Sequence, residues 1–179
     1  MVAPRRALLA LLAPRNRGRS RGQAMVEFAL VAPMLFVLIL GTIEAGRFIF
    51  FQELLNHATR EGARYAIVHG ADSVCPSGPP APGTSTCDLT GENVKARVRE
   101  AALDIVSLGS LELPDPVWTP RGDLSTPEAG DPSTGTNDRG EYVTVFVTFT
   151  YQPLIGQVVD IGILPQISIN AESTLVINF

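Results

Sequence analysis

The feature that most constrains this chain is an uncharged apolar run near its N-terminus, FALVAPMLFVLILGTI, from Phe28 to Ile43. With the residues just before it, the run extends from Gln23 to Ile43, and a helix of that length, at about 1.5 Å per residue, matches a bilayer core of roughly 30 Å. A secretory signal would have a shorter apolar stretch that ends at a small-residue cleavage site before a polar mature start. Here the run continues without a break into a helical pattern, so the sequence predicts a membrane anchor.

The charges on either side of this run predict the orientation of the anchor. The chain has 14 basic and 18 acidic residues and a net charge of −4, but no acidic residue lies within residues 1–22. The arginines of this leader are Arg5, Arg6, Arg15, Arg17, Arg19 and Arg21. Because positive residues beside an apolar helix stay on the cytoplasmic side, we expect a cytoplasmic leader and an exported C-terminal part. This orientation explains the arginines without nucleic-acid binding, which we do not expect.

An amphipathic pattern follows the apolar run. Apolar or small residues recur at alternating spacings of three and four, which is the period of one helix face. They are Phe48, Phe51, Leu55, Ala58, Gly62 and Tyr65. The pattern predicts one continuous helix from Gln23 to Val68, whose second half packs on the protein's own globular domain. Glu44, at the outer end of the apolar run, is expected to pair with Arg47 on the next turn.

Glu27 is a carboxylate at the start of the predicted membrane helix. A charge at the centre of a membrane helix costs roughly 3 kcal/mol on insertion scales, so such residues are candidates for a function. The alternative is that Glu27 lies at the headgroup boundary near the helix N-terminus, where the helix dipole favours an anion. The residue taken alone leaves both interpretations open.

The two cysteines, Cys75 and Cys87, lie in a segment rich in Pro, Gly and Ser, VCPSGPPAPGTSTC. In an oxidising compartment, a disulfide bond between them would close this loop and stabilise the fold by roughly 3 kcal/mol. Two unpaired thiols are the alternative. The cysteines are too far apart for a zinc knuckle, and the nearby His69 is expected on a helix, so no metal site is predicted.

The residues after the long helix predict a small α+β domain. One amphipathic helix is expected over Thr90–Leu108, with Thr90 as its cap and Gly109 as its stop. The stretch Thr119–Glu141 is rich in Pro, Gly, Ser, Thr and Asp, and it predicts a surface loop whose acids do not follow the spacing of a calcium-binding loop. Alternating and β-branched residues predict an antiparallel sheet of about three strands. Two are long, Tyr142–Tyr151 and Ile167–Phe179, and the third, Leu111–Trp118, is a shorter edge strand interrupted by Pro114 and Pro116.

The sequence contains none of the common enzyme motifs. It has no G-x-S-x-G, no phosphate-binding glycine loop and no H-E-x-x-H. The two histidines, His57 and His69, fall on the long helix or at its end, and a core or surface role is more common for such residues than a catalytic one. We therefore expect neither catalysis nor a cofactor.

Two segments of the long helix resemble a known family. The first, Arg21–Pro33 (RGQAMVEFALVAP), is similar to the class III signal of Flp-type type IV pilins and their TadE-like minor pilins. In that signal a basic leader ends in Gly, and Glu is the fifth residue after the cleavage point, followed by an aromatic residue. The second, Gly41–Gly70, resembles the TadE-like continuation, in which E-x-G-R is followed by A-x-R-E-G-A-R-Y-A. The matching residues are Glu44, Gly46, Arg47, Ala58, Arg60, Glu61, Gly62, Ala63, Arg64, Tyr65 and Ala66.

The resemblance implies that a membrane prepilin peptidase cleaves between Gly22 and Gln23. Gln23 would then be the new N-terminus, and Glu27 would be the fifth residue after the cut. The resemblance also implies that the new α-amine of Gln23 pairs with Glu27 of a neighbouring pilin during assembly, which would offset the desolvation of both charges. The implied partners are the membrane, the peptidase, other pilins and the inner-membrane assembly proteins of the Tad system.

These expectations divide the chain into three parts. They are a basic cytoplasmic leader (1–22), a transmembrane and amphipathic helix (23–70) and an extracytoplasmic α+β domain (71–179). The resemblance implies a minor pilin of a Flp-type (Tad) pilus, anchored in the inner membrane and assembled with other pilins after leader cleavage. The alternative hypothesis is a permanently anchored extracytoplasmic binding module that is never polymerised. Leader cleavage distinguishes the two.

Overall fold

The structure, a computed structural model, describes residues 21–102, 110–123, 125–153 and 166–178, and its fold is α+β, as predicted. The elements in chain order are α1 (Arg21–Val68), α2 (Glu92–Ala101), β1 (Ser110–Glu112), β2 (Val117–Thr119), β3 (Tyr142–Tyr151) and β4 (Ile167–Val176). Contacts divide the chain into two compact units, Met1–Thr42 and Ile43–Phe179. The second half of α1 therefore belongs to the same unit as the globular domain, on which the sequence predicted that it packs.

The first half of α1 presents apolar side chains that no part of the described chain covers. The large apolar residues from Met25 to Leu40 are between 43% and 78% exposed. Such exposure is unfavourable in water, because each buried CH₂ group is worth about 0.8 kcal/mol, but it suits a lipid environment. Within the described residues, one helix is long and apolar enough to cross a membrane. The predicted anchor is thus confirmed as a helix of the required length and composition, beginning at Arg21 rather than Gln23.

The sheet is built around β3. Strand β4 pairs antiparallel with β3 along its whole length, from Tyr142↔Val176 to Tyr151↔Ile167. Strands β1 and β2 lie in line on the other edge of β3, with β1 at its C-terminal end and β2 at its N-terminal end. The sequence predicted a short edge strand here, interrupted by Pro114 and Pro116, and the structure divides it into β1 and β2 at this interruption. The segment between β1 and β2 carries Pro114 and Pro116, which have no backbone N–H to donate, so the edge is divided and the sheet has four strands.

One face of β3 forms the centre of the core. Its inward residues alternate along the strand and are at most 2% exposed; they are Val143, Val145, Val147, Phe149 and Tyr151. The second half of α1 contributes buried residues to the same cluster, including Phe51, Leu55 and Ala58, and α2 contributes Val94 and Val98. The ring centroids of Phe51 and Phe149 are 5.6 Å apart. This packing confirms that the amphipathic half of the long helix is covered by the protein's own domain.

Helix α2 is capped differently from the prediction. Thr90 was expected to cap it, but the carboxylate of Asp88 accepts hydrogen bonds from the backbone N–H groups of Glu92 (2.7 Å) and Asn93 (2.8 Å). Gly91 lies between Asp88 and the helix with φ of 72°, which turns the chain so that a residue further back reaches the first turn. The cap is therefore real, but it comes from a residue two positions earlier.

Several predicted boundaries lie outside the described residues. They are the leader up to residue 20, the end of the second helix at Leu108 with its stop at Gly109, and the last residue of the final strand, Phe179. Between β2 and β3 the described residues contain neither helix nor strand, which agrees with the predicted surface loop.

Candidate functional site

The predicted assembly carboxylate, Glu27, lies on the exposed surface of the apolar half of α1. Its Oε1 accepts a hydrogen bond from Nε2 of Gln23, one helical turn earlier, at 3.2 Å. From Gly22 to Ile43 no other residue is charged. A carboxylate in this position has a neutral partner on its own helix, so its charge remains available for a cation from elsewhere.

The predicted processing site, the bond between Gly22 and Gln23, lies within the first turns of α1. Both residues are exposed, and among the described residues nothing beyond the neighbouring helix backbone lies within 4 Å of the position where a side chain on Gly22 would begin. A protease cleaves an extended segment, so this turn must unwind before cleavage. Glycine lowers the cost of unwinding by up to about 1 kcal/mol relative to alanine, because it is a weak helix former.

A second carboxylate, Glu44, connects α1 to the end of the sheet. The predicted pair with Arg47 is present, with 3.5 Å between Glu44 Oε2 and Arg47 Nη1. The phenolic hydroxyl of Tyr151, the last residue of β3, donates a hydrogen bond to the other oxygen of Glu44. The guanidinium of Arg47 also lies over two aromatic rings, 5.5 Å from the centroid of Tyr151 and 5.6 Å from that of Phe51. We call Glu44, Arg47 and Tyr151 the latch.

Tyr151 is the member of the latch that the sequence did not predict. It is 2% exposed, and burial, together with its hydrogen bond to Glu44, raises the pKa of its hydroxyl to about 12. The phenol therefore stays protonated and acts as a donor at physiological pH. Its alternation with Val143 to Phe149 placed it on the same face of the strand as these residues, but nothing in the sequence indicated that its hydroxyl reaches Glu44.

Gly62, in the second motif, lies close to α2 and β3. A Cβ at this position would lie 2.3 Å from Cγ2 of Val98 and 3.4 Å from Cγ1 of Val145. The neighbouring alanines of the motif, Ala58, Ala63 and Ala66, are at most 1% exposed. The small residues of the motif are therefore required for close packing.

The charged residues of the same motif point outward. Arg60 and Arg64 are exposed, and Arg64 Nη1 lies 3.6 Å from Oε1 of Glu61 on the same face. A solvent-exposed pair of this kind contributes little to stability, about 0.3–0.5 kcal/mol. The motif thus combines a buried side that packs the domain with an outer side that remains accessible to other proteins.

A protein-family model described as TadE-like protein matches residues 22–64. This segment is TadE-like. The match confirms the resemblance inferred from the sequence, and it covers the predicted processing site, Glu27, two members of the latch and Gly62. Comparison with curated proteins and with solved structures found no significant match.

Cys75 and Cys87 lie outside the TadE-like segment, and the structure brings them together as free thiols. A hydrogen bond between the two thiols raises the pKa of Cys75. The ends of their loop are also held by the backbone, because the N–H of Cys87 donates to the carbonyl of Pro76 at 3.1 Å. The two thiols thus lie within hydrogen-bonding reach of each other, and the disulfide bond stays a prediction.

The two histidines lie on the long helix or directly after its end. The ring of His69 stacks on that of Tyr65, with 3.8 Å between centroids, and its Nδ1 lies 2.9 Å from the carbonyl of Tyr65. His57 is exposed on α1. Within the described residues, no group of three or more His, Cys, Asp or Glu side chains is close enough to hold a metal ion. The expected absence of a metal and of catalysis stays a prediction for the whole chain.

Proposed function

We propose that this protein is a minor pilin of a Flp-type (Tad) pilus or a related secretion filament, with a structural rather than an enzymatic role. The observation that carries the proposal is the TadE-like segment at residues 22–64, which begins at the proposed cleavage site and includes the charged residue Glu27. The apolar helix within this segment supports a single-pass membrane protein. In this proposal the protein leaves the membrane only when it joins a filament.

The chemistry of assembly follows from the distance between the cut and Glu27. Cleavage after Gly22 creates an ammonium group on Gln23, one helical turn from a carboxylate whose partner on its own helix is neutral. In a filament, the amine of one subunit can pair with Glu27 of its neighbour in a low-dielectric environment. Each charge then offsets the desolvation of the other, and the pair sets the axial register of the two subunits.

The proposed topology places the N-terminus in the cytoplasm and the globular domain outside it, because the leader is basic and contains no acid. A prepilin peptidase on the cytoplasmic side would then reach Gly22. The Tad inner-membrane assembly proteins and other pilins are the proposed partners. A reporter that is active only after export, fused behind the last residue, should be active; an inactive reporter on a stably inserted protein would contradict this orientation.

The first test of the proposal is the N-terminus of the mature protein. We expect sequencing of membrane-extracted protein, from a host with the cognate peptidase, to begin at Gln23. A Gly22→Leu variant, which removes the small residue at the cut, should keep its leader under the same conditions. If wild-type protein keeps Met1, the pilin proposal fails, and the permanently anchored binding module becomes the better explanation.

The second test separates the two interpretations of Glu27. Glu27→Gln should be inserted and cleaved normally, because the scissile bond is unchanged, but it should lose cross-links to neighbouring pilins. Removing one member of a buried charge pair costs about 3–5 kcal/mol, which is more than a hundredfold in an association constant. Glu53→Gln is the matched control, since Glu53 is an exposed carboxylate on the globular half of the same helix. Equal cross-linking in all three proteins would mean that Glu27 is only an interfacial residue.

A further inference from the structure

The globular unit begins with three large apolar side chains that its own fold leaves uncovered. Ile43, Ile49 and Phe50 are 50%, 59% and 58% exposed, although the rest of the unit buries an extensive core. They lie on the first turns of α1 after Thr42, directly after the apolar run, and we call them the outer apolar strip. Gly46, in the same turns, is also exposed, and no described residue outside its own stretch of helix lies within 4 Å of the position of a Cβ there.

The charges within these turns are directed away from the strip. Glu44 and Arg47 are the charged residues between Phe28 and Phe51. Their side chains are only 16% and 25% exposed, because the latch turns both of them toward Tyr151. From Phe28 onward, the outward surface of α1 therefore carries no uncovered charge until Glu53. An ordinary water-facing helix surface would show charged residues here instead.

The position of the strip along the chain indicates what covers it. The residues from Gln23 to Ile43 are long enough to fill the bilayer core, and Phe50 follows Ile43 by about 10 Å of helix at 1.5 Å per residue. The headgroup region on each side of a bilayer adds about 5–8 Å to the core, so the backbone of Phe50 lies just beyond this layer. Because helical side chains lean toward the helix N-terminus, here back toward the bilayer, the ring of Phe50 reaches into it. Aromatic side chains are enriched at this depth, where apolar and polar groups meet.

We propose that the outer apolar strip is embedded in the headgroup layer of the leaflet on the side of the globular unit. The membrane contact of this protein therefore extends past the uncharged run to Phe50, and the latch makes this possible by satisfying Glu44 and Arg47 within the chain. A phospholipid surface fits the strip better than a second copy of the chain does. Three side chains supply only a small part of the roughly 800 Å² per partner of a stable protein interface.

The test uses the full chain reconstituted alone into phosphatidylcholine vesicles, with and without lipids brominated on the acyl chains near the headgroup. Phe50→Trp places a fluorophore in the strip, and His57→Trp places one on the same face of α1 two turns further along, where the residue is also exposed. Wild-type emission, from the buried Trp118, is the background. We expect brominated lipid to quench the added emission of Phe50→Trp, with a blue-shifted maximum, and to leave that of His57→Trp unquenched.

A second variant and a dilution series make the result unambiguous. Ile49→Trp should behave like Phe50→Trp, so a folding defect in one variant does not decide the outcome. Quenching should be the same at low and high ratios of protein to lipid. If neither strip variant is quenched, or if quenching disappears as protein density rises, the strip faces water or another copy, and the proposal is overturned. Leader cleavage and pilus partners play no part in these vesicles, so the outcome is separate from that of the proposed function.

Discussion

Gly62→Ala should destabilise the globular unit, even though alanine is the better helix former. The added Cβ would lie 2.3 Å from Cγ2 of Val98, whereas two non-bonded carbons prefer about 3.5–4.0 Å. Val98 is fully buried and β-branched, so its side chain has neither the space nor the rotamers to move aside. The two helices must therefore separate, and the contacts that both make with β3 must loosen.

Two opposing terms decide the size of the effect. Replacing a helical glycine by alanine gains about 1 kcal/mol in helix propensity. Forcing a methyl group into a packed core costs about 1–3 kcal/mol, and the short distance to Val98 places this site at the upper end of that range. The net expectation for Gly62→Ala is a loss of about 1–2 kcal/mol in the free energy of unfolding.

The measurement is urea unfolding of the full chain in detergent micelles, followed by the fluorescence of Trp118, which is 1% exposed in the folded protein. Gly46→Ala is the matched control on the same helix, because an added Cβ there meets nothing within 4 Å. It should leave the protein as stable as wild type or more stable. If Gly62→Ala is as stable as Gly46→Ala, the packing argument is refuted.

A double mutant tests the cause of the effect. Val98→Ala alone should be destabilising, because it leaves a cavity beside Gly62. The new methyl group of Gly62→Ala would occupy part of that cavity. The double variant should therefore lose less stability than the sum of the two single variants. If the losses of stability in the two single variants add up in the double variant, the clash with Val98 is not the cause of the destabilisation by Gly62→Ala.

Three further predictions concern other parts of the globular unit. Asp88→Ala should cost about 1 kcal/mol in the same urea assay, and Asp88→Asn less, because the amide keeps one cap acceptor. The pKa of Tyr151 is higher in the folded than in the unfolded protein, so the free energy of unfolding should fall as pH rises from 10 to about 12. Tyr151→Phe should remove this fall, and parallel pH curves for the wild type and the variant would contradict the prediction. Cys75 and Cys87 in exported protein should resist alkylation until reduced; free labelling would disprove the disulfide.

The sequence alone determined the features that depend on local pattern. The uncharged run to Ile43 predicted the anchor, and the spacing of three and four from Phe48 to Tyr65 predicted a continuous helix with one buried face. Strict alternation from Tyr142 to Tyr151 predicted the central strand. The ion pair of Glu44 and Arg47 could also be predicted from the sequence, because both residues lie on one helix face. In each case the physical cause acts over a few residues, so the order of residues is sufficient.

The tertiary structure decided every feature that joins distant parts of the chain. Nothing near Tyr151 in sequence indicates that its hydroxyl meets Glu44, and nothing near Gly62 indicates that Val98 lies against it. The cap from Asp88 likewise depends on the turn at Gly91. Such contacts form only when the helix and the sheet have packed, because the position of each partner is then set by the whole core. Local periodicity predicts which face is buried, and only the packed core determines which atoms meet there.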